Sequence, residues 1–374
     1  MTLPLTKPAL LSAMIVMVLY GLGEFAIVSI LGVRRGFDVF STAIHEAVRN
    51  KFPPAHGEAA ALAVSLLLVM FVLVWYYRRV TARKEAYMTL SGSRSDPQTW
   101  DLGAWRWPLA LGIWVLLLVV WVFPILVLVI TSLHTTWTGQ IQLTQLTLSH
   151  WITPIVDPQL RQSFFNSIVV AVSGATLGTF LVVGTAYYTE RTNAPFRGVV
   201  DFLSLTPLAV PGIILGSSLL FTFLWAGAIT GVLNLYGTLA IIVIGCVMVY
   251  LPVSSRIAVG NIVQIHEELE EAARISGASW LDQMREIFLP LFKNTTVVLW
   301  FFLALHIVQL LSVPLMTYTA DTVVLPVKLY QLYMFQPDLS LVAAISSHFI
   351  VLTIALLLGL RLLGVTFYDL DYGG

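Results

Sequence analysis

Polar side chains inside the apolar stretches of this chain are few, and they are the first candidates for chemistry. Glu24, between Gly23 and Phe25, is the only carboxylate well inside an apolar stretch. Ionising a carboxylate in a membrane interior is costly unless the group is paired or hydrated. Glu24 therefore either lines a path for a cation or makes hydrogen bonds that support helix packing. His306 and Gln309 could face the same kind of cavity.

The histidines of this chain match neither an enzyme motif nor a metal-binding motif. The His-Glu pairs at 45–46 and 266–267 lack the second histidine of a zinc-protease helix, and neither His306 nor His348 has a second ligand four residues on. No phosphate-binding loop of the ATPase type and no nucleophile triad is present. The sequence therefore predicts a non-enzymatic chain with no metal site and no cofactor of its own.

Two prolines mark a second candidate region. Pro207 and Pro211 each remove a backbone donor, which frees carbonyls that lipid cannot satisfy. Such a break is tolerated where helices pack together or line a cavity, so a translocation path and a structural kink are both open interpretations. Gly174 and Gly178 form a small-residue pair that favours close helix packing in either case.

The longest charged run, residues 267–290, reads as two short helices joined at Gly277, where a left-handed residue is favoured. Ser279 and Asp282 can cap the second helix, and Pro290 is expected to end it at the membrane border. The helical period predicts an apolar face of the first helix, opposite a charged one: Leu269, Ala272, Ala273 and Ser276 against Glu267, Glu270, Glu271 and Arg274. The acidic side chains, Glu268 included, fit either a basic groove rim on a partner or a solvated face.

The spacing of this run resembles the signature loop of permease subunits of ATP-binding-cassette (ABC) importers. The matching residues are Glu271, Ala272, Ala273, Gly277, Ile287, Leu289 and Pro290. The resemblance implies a cytoplasmic loop whose first helix docks in a groove of the ATPase subunit and passes its closure to the transmembrane helices. The alternative is a loop helix that only packs on its own domain.

Further residues extend the resemblance over almost the whole chain, and it is closest to the fused permeases of ferric-iron importers. Thiamine, phosphonate and polyamine permeases are near relatives. The residues that carry it are Gly23-Glu24-Phe25, Asn166-Ser167, Ala186-Tyr187, Arg191, the run from Leu205 to Gly212 and Tyr236-Gly237-Thr238.

Composition sets the fold class. The chain is 58% hydrophobic and 11% charged, with no net charge, which is typical of a polytopic membrane protein and gives no argument for nucleic-acid binding. About 20 apolar residues cross the hydrocarbon core. Eight stretches are long enough, so we expect an all-α fold of about eight transmembrane helices: 10–31, 59–77, 108–132, 164–188, 199–225, 238–255, 295–316 and 341–363. The sixth is the shortest of them.

Basic residues predict the orientation. The side that holds the signature loop carries 14 of the 20 Lys and Arg residues, against 6 on the other side. The positive-inside rule therefore places this loop in the cytoplasm, and the even number of spans puts both termini on the same side. The resemblance implies that the membrane is a bacterial inner membrane.

The chain also contains a partial internal repeat. Residues 2–7 align with 288–293 at an offset of 286, and each match is followed by a span, an outer loop and a second span. We therefore interpret 1–80 as the remnant of a first permease repeat, followed by a linker (81–107), a complete six-helix permease domain (108–365) whose signature loop spans 256–293, and a tail (366–374). A true eight-span subunit with two added helices is the alternative.

Taken together, the resemblance implies a permease that translocates a substrate, ferric iron first, delivered by a periplasmic binding protein. ATP and Mg²⁺ would be bound by a partner ATPase, and a second permease domain is a further partner left open. The rival class is an ion-coupled secondary transporter, which needs paired intramembrane charges that are nearly missing here.

Overall fold

The computed structural model describes residues 11, 14–15, 17–81, 102–230, 235–336 and 338–362, and these are almost entirely helical. The repeat match at 2–7, most of the 81–107 linker and the 366–374 tail lie outside them. In chain order the helices are α1 (17–23), α2 (Ala26–Leu31), α3 (Phe40–His45), α4 (His56–Thr81), α5 (Arg106–Leu117), α6 (Phe123–Ser132), α7 (Ser149–Val156), α8 (Pro158–Arg191), α9 (Arg197–Leu205), α10 (Gly212–Thr230), α11 (Leu239–Ile262), α12 (Glu268–Ile275), α13 (Trp280–Gln283), α14 (Leu289–Gln309), α15 (Ser312–Thr317), α16 (Leu325–Phe335) and α17 (Leu339–Leu362).

The all-α membrane fold is confirmed. Within the described part of the chain, six helical segments are long and apolar enough to cross a bilayer. They are His56–Tyr76, Gly103–Ser132, Pro158–Arg191, Leu239–Ile262, Trp280–Gln309 and Leu339–Leu362. Three of the predicted stretches contain a break: the first, the fifth and the seventh.

The fifth stretch turns back on itself instead of crossing straight. Arg197–Ala209 and Gly212–Gly227 meet at an angle of 110°. Pro207 lies in a short 3₁₀ turn, Thr206–Ala209, and the backbone leaves the helical conformation at Val210 and Pro211. Two prolines four residues apart remove two successive helical hydrogen bonds, so the chain bends much further than a simple proline kink.

The first and seventh stretches are interrupted as well. α1 ends at Gly23 and α2 begins at Ala26, while α14 ends at Gln309 and α15 begins at Ser312. Pro314 explains the second break, because its ring would clash with the carbonyl of Leu310 in a continuous helix. The predicted span over 295–316 is therefore one long helix followed by a separate short one.

The sixth stretch was predicted too short. α11 continues from Ser255 to Ile262, with Pro252 inside the helix. Ala258 and Ile262 are fully buried beside Phe288 and Phe292, so tertiary packing carries the helix beyond its most apolar part. Hydropathy alone does not register this continuation.

The core is built around α8, which packs against α11 and α14. Close approach depends on the predicted small-residue pair. A Cβ atom added at Gly174 would lie 2.9 Å from Ile307 Cδ1, and one at Gly178 would lie 2.9 Å from Leu303 Cδ1. Since both partners lie on α14, this pair fixes the distance between the two helices.

The internal repeat is present in the backbone. The break before α2 and the break before α15 lie at the same offset of 286 residues, and both short helices have six residues. α3 with its following turn, residues 40–50, corresponds to α16, and α4 corresponds to α17. The interpretation of 1–80 as the remnant of a lost half stays a proposal.

The contact between α8 and α14 gives a first prediction. We expect Gly178→Leu to lower the thermal unfolding midpoint of the purified protein, because overpacking a tight helix contact costs about 1–3 kcal/mol. Gly184→Leu on the same helix is the matched control, since a Cβ atom added at Gly184 would have no neighbour within 4 Å. Equal unfolding midpoints for the two variants would contradict the proposed packing.

Candidate functional site

The signature loop folds as two short helices around a left-handed glycine, as the sequence predicts. Gly277 has a φ of +88°. Its N–H donates to the Arg274 carbonyl at 3.0 Å, and the Ala278 N–H donates to the Ala273 carbonyl at 3.0 Å. These two bonds form a Schellman motif, which closes α12 and fixes the direction in which the chain leaves it.

The predicted cap of α13 is also present. The Ser279 N–H donates to Asp282 Oδ2 at 3.0 Å, and the Asp282 N–H donates back to Ser279 Oγ at 3.3 Å. Gln283, which is buried, donates from Nε2 to the Ala278 carbonyl at 3.1 Å. The turn between the two helices is therefore held by hydrogen bonds on both sides.

The orientation of α12 differs from the simple amphipathic expectation. Glu270, placed by the sequence on the charged outer face, is buried with its side chain 7% exposed. Leu269 is 48% exposed and Ile275 is 88% exposed, and Ala272 also faces outward. The expectation failed because a buried cation draws Glu270 inward. α12 therefore exposes Leu269 and Ile275 beside its remaining charged side chains.

That cation is Arg191, at the last position of α8. Its side chain is 4% exposed, and its Nη1 lies 3.8 Å from carboxylate oxygens of both Glu267 and Glu270. Nη2 donates to the Ile262 carbonyl at 2.7 Å and also to the Ile265 carbonyl. Tyr187, one turn earlier, donates to Glu270 Oε2 at 3.1 Å. One arginine thus fastens the end of α11 and the start of α12 to α8.

Pro290 does not end the second helix, which corrects the expectation. α13 continues through a π-helical turn at Met284–Phe288 into α14, so Trp280–Gln309 is one helical segment. The Leu289 N–H bonds to the Met284 carbonyl, five residues back. Because of this wider turn, Pro290 falls within the first turn of α14. A proline is tolerated there, since the missing N–H donor is not needed in the first turn of a helix. The loop is therefore continuous with the seventh span.

The signature residues are distributed over both faces of the loop. Glu271, Ala272 and Gly277 are exposed, and Ala273 is half-buried. Ile287 is half-buried, whereas Leu289 and Pro290 are exposed at the start of α14. The anchor below them is aromatic: Phe288 stacks on Phe292 at 5.1 Å and meets Tyr187 edge-on at 4.8 Å.

Three helix breaks meet on the α14 side of the core, at 24–25, 210–211 and 310–311, and we call this region the break junction. A Cβ atom added at Gly23 would lie 3.6 Å from Pro211 Cβ, and one added at Gly212 would clash with Ser312 Oγ. The break of the fifth stretch is therefore held between the two repeat-related breaks. Of the predicted path residues, Glu24 and Pro211 come together here, while Pro207 lies in the 3₁₀ turn just before.

Glu24 is half-buried, and its carboxylate accepts a hydrogen bond from the Ile27 N–H at 3.1 Å. Its backbone carbonyl accepts one from Ser41 Oγ at 2.7 Å. The carboxylate thus satisfies a backbone N–H at the start of α2 that has no partner within the helix. This corresponds to the hydrogen-bonding interpretation of Glu24 given in the sequence analysis. Its second oxygen has no hydrogen-bond partner among the described residues.

His306 and Gln309 share one exposed face of α14. His306 Nδ1 bonds to the Phe302 carbonyl at 2.8 Å, and its ring lies 5.3 Å from that of Tyr250. Tyr250 on α11 was not among the predicted site residues, although a tyrosine inside an apolar helix was a readable signal. Among the described residues, no group of three His, Cys, Asp or Glu side chains is placed to hold a metal ion.

The hydrogen bonds that Asn166 and Ser167 make to a distant part of the chain were not predicted from the sequence. Asn166 Nδ2 donates to the carbonyls of Asp321 and Val323, at 3.0 and 2.9 Å. Ser167 Oγ accepts a hydrogen bond from the Leu325 N–H at 2.6 Å. These buried polar residues tie α8 to the segment between α15 and α16, at the end of the bundle opposite the signature loop.

Comparison with known proteins assigns the family. Residues 174–365, slightly more than half of the chain, match the model for the binding-protein-dependent transport system inner membrane component. The chain belongs to this family. The matched range contains α10, the signature loop and the α14–α17 unit, whereas Glu24, Asn166 and Ser167 lie outside it.

Two curated relatives in this transport family differ in cargo. A ferric transport system permease protein of Actinobacillus pleuropneumoniae is 25% identical over 290 residues, which are 78% of this chain and 41% of that protein. A molybdate/tungstate transport system permease protein of Methanocaldococcus jannaschii is 27% identical over 218 residues, covering 56% of this chain and 84% of that protein. This chain thus spans less than half the length of the ferric relative.

Solved structures show the same fold. A bacterial ABC transporter that imports the acidic polysaccharide alginate aligns with a TM-score of 0.57 at 15% identity, over 69% of this chain and 93% of that chain. A second structure of an alginate transporter, in complex with its periplasmic protein, aligns with a TM-score of 0.55 at 17% identity, over 68% of this chain and 91% of that chain.

The arginine at the end of α8 gives a second prediction. We expect Arg191→Leu to speed hydrogen exchange over residues 262–283, because removing one partner of a buried ion pair costs about 3–5 kcal/mol and leaves Glu270 uncompensated. Arg256→Leu is the control, since Arg256 pairs with Asp201 in a contact that is half exposed and contributes about 1 kcal/mol or less. Unchanged exchange in Arg191→Leu would contradict the fastening role.

Proposed function

We propose that this chain is the membrane-spanning subunit of an ATP-driven importer, and that α12 is the docking element for its cytoplasmic ATPase. The observation that supports this most directly is the face that α12 presents. A charged helix outside the membrane spans buries Glu270 and exposes Leu269 and Ile275. Exposed apolar side chains on such a helix mark a protein-interaction surface.

The loop is also mechanically suited to pass on a force. The Schellman turn and the cap of α13 leave little freedom between α12 and α13. From Trp280 the chain is helical as far as Gln309. A displacement of α12 therefore moves α14 along its whole length, and with it the break at 310–311.

The break junction is the proposed translocation path. Irregular backbone inside a membrane is tolerated where it is buried in protein or lines a cavity. Glu24, Pro211, His306 and Gln309 lie on segments that end at or border the junction. Tyr250 adds a hydroxyl-bearing ring beside His306.

For the cargo we propose ferric iron, ahead of molybdate or another oxyanion. Glu24 is the one charged side chain among the path candidates, and a carboxylate favours a cation over an oxyanion. The ferric relative covers 78% of this chain, against 56% for the molybdate/tungstate relative. Thiamine, phosphonate and polyamine remain alternative cargoes within the same transporter class.

The proposed partners follow from this function. They are a cytoplasmic ATPase pair that holds ATP and Mg²⁺, a periplasmic binding protein that delivers the cargo, and a second permease domain that completes the path. The proposed location is a bacterial inner membrane with both termini in the cytoplasm, as the distribution of Lys and Arg favours. In this arrangement 1–80 is a partial first permease repeat, and 108–365 is the complete unit.

The docking face gives a third prediction. We expect Leu269→Glu to weaken binding of the cognate ATPase to the permease in nanodiscs by at least about tenfold, because it removes a leucine that docking would bury and adds a charge to an apolar contact. Gln264→Glu adds the same charge to the same loop outside α12 and should bind like the wild type. If Leu269→Glu also binds like the wild type, α12 is not the docking element.

A fourth prediction tests the transporter class and the identity of the cargo separately. In proteoliposomes with the ATPase and the binding protein, we expect radioactive iron to accumulate only with ATP, and molybdate not to accumulate. The measurement is filtration uptake, and an ATPase variant that cannot hydrolyse ATP is the control. Molybdate uptake without iron uptake would overturn the cargo alone. Uptake driven by an ion gradient without ATP would overturn the importer class and favour a secondary transporter.

A further inference from the structure

Each repeat copy accepts a hydrogen bond from the other, and the two accepting carbonyls are at equivalent positions. Ile30 near the end of α2 and Met316 near the end of α15 are related by the offset of 286 residues. The carbonyl of Met316 accepts a hydrogen bond from Arg49 of the first copy, and the carbonyl of Ile30 accepts one from Tyr333 of the second copy. Each short helix is thus capped by a side chain from the other copy.

The Arg49 cap is the stronger of the two. Arg49 Nη2 lies 2.5 Å from the Met316 carbonyl and 3.3 Å from the Tyr318 carbonyl, and the guanidinium sits 4.7 Å over the Tyr318 ring. Burial lowers the pKa of Arg49, but its ordinary value is so far above neutrality that the side chain stays charged. A cation at the C-terminal end of α15 also complements the helix dipole.

The Tyr333 cap is weaker. Its hydroxyl lies 3.4 Å from the Ile30 carbonyl, and the pair is neutral. Because a charge-assisted bond is roughly twice as strong as a neutral one, the two caps are equivalent in position and unequal in strength.

Both caps lie at the end of the bundle opposite the signature loop. α14 starts in that loop at Leu289 and ends at Gln309, so Met316 lies beyond its far end. Both capped helices begin at the break junction, on either side of Pro211. A change in the distance between α2 and α15 therefore opens or closes the far end of this junction.

Packing beside the caps leaves room for such a change. A cavity of about 120 Å³ separates α2 and α3 of the first copy from α16 of the second. Phe25, Ser29, His45, Glu46 and Tyr330 are among the residues that line it. Beside this pocket, the rings of Phe25 and His45 pack on the ring of Tyr330 at 6.0 and 5.9 Å, so the two copies meet through this aromatic cluster and the two caps.

We propose that Arg49 and Tyr333 are positioning residues of a gate that closes the far end of the path, with residues 26–50 forming one half of it and residues 312–335 the other. The gate rests on the proposed transport function, because it controls the same junction. Opening of the gate separates α2 from α15 and requires the hydrogen bonds of both caps to break.

The test measures access to the junction directly and needs neither ATPase nor cargo. In a Cys246→Ala background, Ser312→Cys reports on the far end of the junction, and Ser255→Cys reports on the buried signature-loop end of α11. The permease is placed in nanodiscs, and the rate of maleimide labelling is followed for each reporter. Thermal unfolding of every variant is recorded in parallel.

We expect Arg49→Met to raise the labelling rate of Ser312→Cys about tenfold or more, and Tyr333→Phe to raise it severalfold, with Ser255→Cys unchanged in both. Lys51→Met is the matched control, because Lys51 lies in the same segment and pairs with the exposed Glu58. The control should label like the parent at both reporters.

Two outcomes would overturn the gate. One is a labelling rate of Ser312→Cys that neither substitution changes. The other is an equal rise at both reporters, which would show that the caps only stabilise the fold. If Arg49→Met does not fold, the milder Tyr333→Phe decides between these outcomes alone. Failure of iron uptake, in contrast, would leave the labelling result unaffected, so the two proposals fail separately.

Discussion

The structure depends on satisfying backbone groups where helices break inside an apolar bundle. A helix end in such surroundings leaves N–H and C=O groups that lipid cannot bond. Side chains take over that role here. Glu24 accepts from the Ile27 N–H, and Arg49 donates to the Met316 carbonyl. Polar residues that look isolated in an apolar sequence are therefore partners of the backbone, and their positions follow from where the helices break.

This constraint divides α14 into two ends with different properties. Near the signature loop, a Schellman turn, a capped helix and the buried Arg191–Glu270 pair hold the chain in one arrangement. Beyond Gln309 the helix stops, and α15 follows as a separate buried helix that packs on α10 and α11 and accepts a hydrogen bond from Arg49. The signature-loop end of α14 is therefore tied to α8 through Arg191, whereas its far end leads into a helix that the N-terminal segment caps.

Local features could be predicted from the sequence because the residues that decide them are neighbours. The glycine turn at 277 and the cap between Ser279 and Asp282 need only a few consecutive residues, and both were predicted. The face of α12 could not be predicted, because Glu270 is turned inward by Arg191, which lies 79 positions earlier in the chain. The π-helical passage through Pro290 likewise depends on aromatic packing of Phe288 against Tyr187.

The fold, like the signature loop, could be predicted from the sequence only in part. Apolar length predicted the class and most of the spans, but it treats every long apolar run as one straight helix. The 110° turn at Val210 and Pro211 and the breaks before α2 and α15 divide such runs, and their geometry depends on what packs on either side. Of the proposed path residues, Glu24 and Pro211 were predicted and lie on neighbouring breaks, whereas Tyr250, whose ring lies beside His306, was not predicted although it is a tyrosine inside an apolar helix.

The reciprocity of the caps bears on the origin of the N-terminal segment. The break before α2 and the carbonyl of Ile30 lie 286 residues before the break before α15 and the carbonyl of Met316, which supports the proposed duplication over two independently added helices. In the proposed duplication, each copy supplies the donor for an accepting carbonyl of the other. Without residues 26–50, the carbonyl of Met316 would lose its buried cation, and α15 would have to find another partner. Residues 26–50 therefore act as a structural part of the unit whose helix α15 they cap.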